Sequence, residues 1–446
     1  MRIRSVILLL FLTLSQIFGQ KLKPAELVKS QTQFIQKSLF EQNNRSSIAI
    51  PKSIKSYELM DLDKVKVSEL LHSGTQAIEL TIPTQKRAAM KLKLVEIVMP
   101  EFSVTAAHSG EKIKYRKGKH YRGIVDGQEK SMVALSVFDN EVMGFIAEER
   151  SETILSIGKI EGAETHIIYD ESQIDLTQKF ECLVNDADFK EELRHDQLFD
   201  DNNDRALTDC VRMYFEIDKD IVDSKGTAGT TSYITGVFNQ MATLYANENV
   251  KMSLGAIVMW TTPSPYTAGD ASGMLSQFNS YRNGFDGDLG MLLSYKTSGG
   301  IAWVGGLCNS NKDFASGFVR INSTYNNVPA YSWTINGLSH EVGHLFGSPH
   351  TQKCAWNGNN TALDGCVNPE GTCPRPSNQG VSAFTIMSYC HLNGTVPNFN
   401  AGFGTQPGNL IRSKVTAASC LSACSGGGGG SNPSCTDGVK NGQETG

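Results

Sequence analysis

Residues 340–350 read HEVGHLFGSPH, and this stretch decides the fold that we expect the chain to adopt. On a helix, His340 and His344 are four residues apart and project from one face. The glycine and proline that follow can end the helix, so the chain can turn and bring His350 back to the other two histidines. Three histidines that leave a fourth position open are typical of catalytic zinc, whereas structural zinc has four protein ligands. The stretch therefore predicts His340, His344 and His350 as the ligands of one catalytic zinc ion.

Glu341 is the fourth chemical group of this stretch. It lies about 100° round the helix from His340, so it can reach a water on the metal but points away from direct ligation. We therefore expect Glu341 to act as the general base and to pass the proton on to the leaving group. The alternative is a chance H-E-x-x-H motif on a surface helix, in which Glu341 forms ordinary ion pairs. The glycine and the third histidine at fixed offsets make such a match rare.

A second element lies downstream, in the sequence TIMSYC at residues 385–390. Alone, Met387 would be an ordinary core methionine, but together with the histidine motif it makes the chain resemble the metzincins, whose Met-turn lies beneath the zinc. Within the metzincins the chain is most similar to the reprolysin, or adamalysin, branch, in a bacterial-type form with a propeptide. The resemblance covers the histidine motif, Met387, the sequence GGLC at 305–308 and, more loosely, residues 120–146.

The resemblance implies both a fold and a function. The fold is α/β (α+β), with a mixed sheet, an active-site helix and a disulfide-rich lower subdomain in the catalytic domain, preceded by a β-rich propeptide. The function is a secreted zinc endopeptidase made as a zymogen, inhibited by its own propeptide and binding protein or peptide substrates in extended form. A strand near residues 301–305 at the sheet edge could pair with such a peptide. An inactive binding or adhesion module on the same scaffold and a zinc amidase for small substrates are the alternatives.

The composition and the first residues indicate an exported protein. The 446 residues suggest two or three domains, and the formal net charge of −5 comes with no basic run that would favour nucleic acid as a partner. Residues 1–19 have a basic start and a short apolar run, as secretory signal peptides do. No segment approaches the roughly twenty apolar residues of a spanning helix, so we predict no membrane span. Ten cysteines agree with export, since disulfides persist outside the cytoplasm.

Three further segments follow the signal peptide. Residues 20–205 contain alternating apolar and polar runs such as Ala77–Ile82, typical of strands, and end in an acidic linker with a processing site predicted at Arg205. The alternative to a propeptide here is a permanent N-terminal domain with an adhesive role. Residues 206–424 alternate strand-like and helix-like runs, which predicts the α/β catalytic domain. Residues 425–446 read as a glycine-rich linker and the start of a truncated module that contains one cysteine.

The catalytic segment has three predicted helices. They are expected over residues 233–248, 272–281 and 333–346, and the last is the active-site helix. Thr334 or Asn336 is available to cap the start of that helix.

Eight cysteines lie from Cys210 to Cys424, an even set whose pairing the order alone does not decide. One alternative makes some of these thiolates zinc ligands, but three histidines already fill the protein's share of a catalytic site. The resemblance to reprolysins implies the bridges Cys308–Cys420, Cys354–Cys390 and Cys366–Cys373.

Cys182 is the one cysteine of the predicted propeptide. Its thiolate can fill the open zinc position as a latency ligand and keep the precursor inactive. The surrounding sequence FECL is not close to the latency motif of the family. A disulfide with Cys210 is an equal alternative.

Three positions near the motif limit how far the family's residue roles carry over. Reprolysins place an aspartate after the third histidine, where this chain has Thr351. Tyr389 occupies an offset at which astacins and serralysins carry a tyrosine that contacts the metal or stabilises the transition state, and a buried, hydrogen-bonded tyrosine is the alternative. His391 is either a spare ligand or a loop histidine. Scattered Asp and Asn allow Ca²⁺, but no calcium-binding loop is recognisable.

Overall fold

The computed structural model describes residues 22–43, 47–84, 89–151, 153–174, 181–184, 192–199, 209–282, 284–377, 380, 385–393 and 398–424. The predicted signal peptide, the processing site at Arg205 and the C-terminal module with Cys435 lie outside these residues.

Strands form most of the N-terminal half and alternate with helices in the rest. The strands of the described residues are β1 Ile35–Lys37, β2 Phe40–Gln42, β3 Tyr57–Leu62, β4 Ala77–Ile82, β5 Met90–Glu96, β6 Ser103–Ala106, β7 Lys119–Val125, β8 Met132–Phe138, β9 Glu141–Ala147, β10 Leu155–Lys159, β11 Thr165–Asp170, β12 Asp209–Ile217, β13 Met252–Met259, β14 Leu289–Ser294, β15 Gly300–Ala302, β16 Ser316–Arg320, β17 Thr324–Tyr325, β18 Val328–Pro329 and β19 Ser422–Ala423. The α-helices of the same residues are α1 Pro24–Lys29, α2 Lys64–His72, α3 His195–Phe199, α4 Lys219–Asn247, α5 Ala271–Tyr281, α6 Ser332–Leu345 and α7 Thr405–Ala417.

The first sheet belongs to the predicted propeptide. Among the described residues its strand order is β1-β4-β5-β7-β8-β9-β10-β11-β3-β2, and its pairs are antiparallel apart from β1 with β4. Antiparallel neighbours need only short connections, which agrees with the turns that separate the alternating runs of this region. The expected β-rich character of residues 20–205 is therefore present.

The second sheet carries the predicted catalytic segment. Its described strands follow the order β15-β16-β14-β12-β13-β6, with parallel pairs except for β15, which is antiparallel to β16 at one edge. The short β19 lies outside this order and pairs antiparallel with the start of β12. Every residue of β13 and β14 is buried, as strands covered on both faces require. Together with the helices this confirms a mixed α/β fold.

The two halves of the chain are joined in one structure. Strand β6 comes from the N-terminal half but pairs in parallel with β13 at the second edge of the catalytic sheet. Met143 and Phe145 of β9 lie in the same hydrophobic core as Phe215 and Phe238. The N-terminal half is thus part of the packing that supports the catalytic sheet.

Helix α6 begins differently from the prediction. It starts at Ser332, and neither Thr334 nor Asn336 is at the capping position, which Tyr331 occupies without a side-chain cap. Glu171 takes that role, because its carboxylate accepts hydrogen bonds from the backbone N–H groups of Tyr331 at 2.7 Å and Ser332 at 3.0 Å. A capping residue from a distant part of the chain leaves no local sequence signal.

The disulfides correct two of the three predicted pairs. Cys308 is bridged to Cys420, as the resemblance implies. The predicted pairs Cys354–Cys390 and Cys366–Cys373 are wrong in the structure, since the loops after α6 bring different partners together. The further bridges among the described residues are Cys210–Cys424, Cys354–Cys373 and Cys366–Cys390.

Among the described residues, no helix is both long and apolar enough to cross a bilayer.

Candidate metal centre

The turn after α6 brings the three predicted histidines together. Gly347 has a φ of +97°, and its N–H donates to the carbonyl oxygen of His344 at 2.7 Å, which ends the helix. His350 then returns to the face of α6 that carries the other two histidines, and all three rings are buried. The Nε2 atom of His344 lies 3.2 Å from Nε2 of His340 and 3.1 Å from Nε2 of His350.

These distances match the edges of a tetrahedral zinc site. Nitrogen ligands about 2.05 Å from a tetrahedral zinc are about 3.3 Å apart, and a nitrogen and a thiolate sulfur are about 3.6 Å apart. The sulfur of Cys182 lies 3.5 Å from Nε2 of His344, and all four side chains are buried. The donor set is therefore the right one for zinc in both spacing and chemistry.

Each histidine ring is oriented by a partner at its other nitrogen. Nδ1 of His340 donates to the carbonyl oxygen of Ile386 at 2.7 Å, and Nδ1 of His344 to that of Ser348 at 2.8 Å. A neutral ring that donates from Nδ1 presents an unprotonated Nε2, as a metal ligand must. Burial, followed by the neighbouring His344 and His350, lowers the pKa of His340 well below its usual value, which keeps the ring neutral.

Two glycines position the groups around the histidines. A Cβ on Gly300 of β15 would overlap the Glu341 carboxylate, so the absent side chain leaves room for that carboxylate beside the edge strand. A Cβ on Gly343 would lie 2.6 Å from the sulfur of Met387, so this helical glycine lets the methionine pack directly under α6. Glu341 and Met387 are both fully buried.

Thr351 performs a linking role at the position where reprolysins have aspartate. Its backbone N–H and its hydroxyl both donate to the carbonyl oxygen of Met387, at 3.2 and 3.3 Å. The loop that carries His350 is thus tied to the turn that carries Met387.

Tyr389 lies beside the cluster, with its ring centroid 4.4 Å from that of His350. Its hydroxyl donates to the backbone carbonyl oxygen of Cys182 at 2.7 Å. Burial, followed by Cys182 and Glu341, raises the pKa of Tyr389 well above its usual value, so the group is a hydrogen-bond donor at neutral pH. Nδ1 of His391 is 3.2 Å from the carbonyl oxygen of Ser388, and the ring packs against Trp333 outside the ligand cluster.

Cys182 approaches the site on a short extended segment. Its predicted disulfide with Cys210 is wrong, because Cys210 is bridged to Cys424 and Cys182 is in no disulfide. The N–H of Leu183 donates to the carbonyl oxygen of Gly300 at 2.8 Å, and the N–H of Gly300 donates to that of Glu181 at 3.0 Å. The segment 181–183 therefore pairs in parallel with the start of β15 through one isolated β-bridge, Cys182 with Gly300.

The Cys182 thiol binds a metal as a thiolate, and in this buried position the thiolate forms only beside a positive charge. Burial raises the pKa of Cys182 to about 12, with Glu341 as the second cause. A thiolate here consequently needs a positive charge beside it, and a zinc ion between the three histidines supplies one.

A cavity of about 1060 Å³ adjoins this segment. It extends along β15 from Leu183 and is lined in part by Ile301, Trp303, Phe346 and Lys414. The lining is mixed, since Asn279, Asp313 and serines also face the groove, and a volume of this size is usual for a ligand-binding cleft.

Sequence reasoning missed two groups at the site, Glu370 and Gly300. Glu370 approaches Nδ1 of His350, but a carboxylate in a loop distant from the motif gives no pattern to recognise. Gly300 precedes the predicted edge strand, and its contact with Glu341 depends on how the sheet packs on α6.

Comparisons with known proteins concern the family of the catalytic segment. Residues 208–400 match the family model Reprolysin_5, metallo-peptidase family M12, which confirms the resemblance predicted from the histidine motif. No curated protein matches the chain.

Solved structures that align with the chain include two metallopeptidases. Metalloproteinase-II from Bacteroides fragilis is 11% identical with a TM-score of 0.37, over 67% of this chain and 90% of that one. Archaemetzincin from Methanopyrus kandleri is 10% identical with a TM-score of 0.25, over 46% of this chain and 96% of that one.

Proposed function

We propose that this chain, whose residues 208–400 match the family model of M12 metallopeptidases, is a secreted zinc endopeptidase made as an inactive precursor. One observation carries the proposal: three Nε2 atoms and the Cys182 sulfur are arranged at the spacing of a tetrahedral zinc site. Four disulfides among the described residues support the export that the first residues predict.

The chemistry is peptide hydrolysis. His340, His344 and His350 would hold the zinc ion, which would supply a Lewis acid that lowers the pKa of a water. Glu341 accepts the proton of the attacking water at its carboxylate and returns it to the departing amine. The carboxylate is buried and lies against Gly300 of the edge strand, which supports a fixed position for this base.

The edge strand β15 supports an extended peptide as the substrate. Gly300 offers one N–H and one carbonyl oxygen, and both already bond to the segment 181–183. A peptide that replaces this segment can use the same backbone groups with little demand on its sequence. Tyr389, which donates to the carbonyl oxygen of Cys182, is then available to donate to a substrate carbonyl oxygen.

Latency follows from the same contacts. The segment 181–183 lies where a substrate would bind, and the Cys182 sulfur fills the position that a water needs. Removal of this segment opens both the edge strand and the fourth zinc position.

Digestion of casein by the processed protein tests the proposed activity. We expect cleavage that a chelator abolishes and that added zinc restores, and we expect Glu341→Gln to bind zinc but to lose about 10²–10⁴-fold in turnover. Asp223→Asn, a change at an exposed carboxylate of α4, is the matched control and should leave turnover unchanged. Zinc binding without proteolysis would favour the binding module or the amidase, and full activity of Glu341→Gln would refute the general base.

Cys182→Ala tests the proposed latency. The unprocessed variant should cleave casein, because the fourth zinc position becomes open to water while the disulfides are unchanged. The measurement compares the unprocessed wild type and the variant at equal zinc content. A variant precursor as inactive as the wild type would show that the rest of the N-terminal half maintains latency without the thiol.

A further inference from the structure

We propose that Glu370 is a positioning residue that holds His350 in place as the third zinc ligand and sets the affinity for zinc. The inference rests on the proposed zinc site and adds a residue to it that the histidine motif does not contain.

The contact is direct and lies opposite the metal-facing side of the ring. Nδ1 of His350 is 3.1 Å from Oε1 and 3.2 Å from Oε2 of Glu370, whereas Nε2 faces the ligand cluster. The His350 side chain is 0% exposed, and that of Glu370 is 28% exposed. A carboxylate at this position favours the tautomer with a proton on Nδ1, so that Nε2 is free to bind a metal.

The carboxylate is itself held in position. The Gln352 side chain donates from Nε2 to Oε1 of Glu370 at 2.8 Å. The backbone N–H of Glu370 donates to the carbonyl oxygen of Gln352 at 3.0 Å, and the N–H of Cys354 donates to the carbonyl oxygen of Glu370, also at 3.0 Å. The bridge Cys354–Cys373 closes the loop that contains Glu370. The loop therefore presents a fixed acceptor to the imidazole.

His350 depends on such a partner more than the other two ligands do. His340 and His344 are fixed by helix α6, and their Nδ1 atoms donate to backbone carbonyl oxygens. His350 lies in the turn beyond the helix, where its ring direction is set by side-chain contacts. A carboxylate on the outer nitrogen also raises the basicity of the ligand, which strengthens the metal bond.

Zinc dissociation constants of the full chain test the inference. We expect Glu370→Gln to weaken zinc binding about 10-fold and Glu370→Ala up to about 100-fold, the range usual for such partners of a ligand. The Gln variant keeps an acceptor and removes the charge, whereas the Ala variant removes both. Competition with a chromophoric chelator gives the constants, and Asp223→Asn is the control that should bind zinc like the wild type.

The outcomes separate this inference from the proposed function. If the wild type binds zinc and both variants bind it within twofold of the wild type, Glu370 has no positioning role. If the wild type binds no zinc, the proposed site itself is wrong. Thermal unfolding of the metal-free proteins should be nearly equal for wild type and Glu370→Gln, because the role concerns the metal. A large loss of stability in the metal-free Gln variant would show a structural role and overturn the inference.

Discussion

Gly300 is the residue on which the placement of Glu341 depends. The Glu341 side chain lies so close to its Cα that a Cβ built there overlaps Oε1 and lies 2.8 Å from Cδ. The same glycine supplies the backbone groups that pair with the segment 181–183. One residue therefore sets both the room for the carboxylate and the line along which a peptide binds.

Gly300→Ala should reduce turnover by about 10²-fold, since displacement of a reacting group by about 1 Å has that effect. Zinc content should not change, because the alanine does not touch the histidines. The measurement is the turnover number of the processed variant beside its zinc stoichiometry. Gly269→Ala is the control, as a Cβ there meets nothing within 4 Å. Wild-type turnover in Gly300→Ala would mean that Glu341 is not held against β15.

At the scale of single residues, the sequence predicts the side chains that lie within the histidine motif, because their spacing along one helix is fixed. The three histidines and Glu341 could be named because a helix and one turn determine where they lie. Glu370 and Glu171 could not, since each reaches its partner across a long separation in sequence. Such contacts are a property of the folded chain.

Helix α6 is the element that joins the site to the core. The apolar spacing of its sequence predicted residues 333–346, and the helix spans Ser332–Leu345. Helix α4 was predicted from residue 233 but begins at Lys219; its first turns have no apolar period and are separated from the rest by a break at Gly226, whose φ of 67° and ψ of 167° are not helical. Two of the cysteine pairs implied by the resemblance are wrong, and both lie in the loops after α6, which have no periodic structure from which the pairing could have been checked.

Gly343→Ala should destabilise the protein even though alanine favours helices. The added methyl group meets the buried Met387 sulfur at 2.6 Å and the Phe403 ring at 3.3 Å, and such overpacking costs about 1–3 kcal/mol. Gly229→Ala in α4 is the matched helical control, because the nearest atom to its Cβ is 3.4 Å away; this variant should gain up to about 1 kcal/mol. Urea denaturation of both variants gives the comparison. Equal stabilisation by the two alanines would contradict the close packing of Met387 under α6.

At the scale of the whole molecule, the N-terminal half contributes to the structure of the catalytic half. Strand β6 extends the catalytic sheet, and Glu171 caps the active-site helix. Arg122 is buried and donates to the side chain of Asn239 in α4, whose amide donates to the carbonyl oxygen of Leu135. These buried polar contacts are satisfied only across the junction of the two halves, so their loss would leave charged or polar groups without partners.

Glu171 lies at this junction and should make the free energy of unfolding depend on pH. Burial raises its pKa from 4.5 to about 7, so the folded protein binds a proton that the unfolded chain releases. The contribution to stability is fully present below pH 4.5 and is lost as pH rises toward 7, by up to about 3 kcal/mol. In the Glu171→Gln variant the side chain at this position cannot ionise, so the variant should not lose this stability as pH rises.

Unfolding free energies of wild type and Glu171→Gln, measured by denaturant between pH 4.5 and 7.5, check this linkage. The variant should gain stability relative to the wild type as pH rises. The control is Glu26→Gln, at an exposed position of α1, and its difference in unfolding free energy from the wild type should not change with pH. If the difference for Glu171→Gln is also independent of pH, the carboxylate is not buried against α6.

The zinc site itself is tested most directly by anomalous diffraction at the zinc absorption edge, with crystals of the precursor grown in zinc. The account predicts one strong peak per chain, about 2.0–2.1 Å from Nε2 of His340, His344 and His350 and about 2.3 Å from the sulfur of Cys182. A map with no peak among these four side chains, or with the His350 ring turned away from the other two, would contradict it.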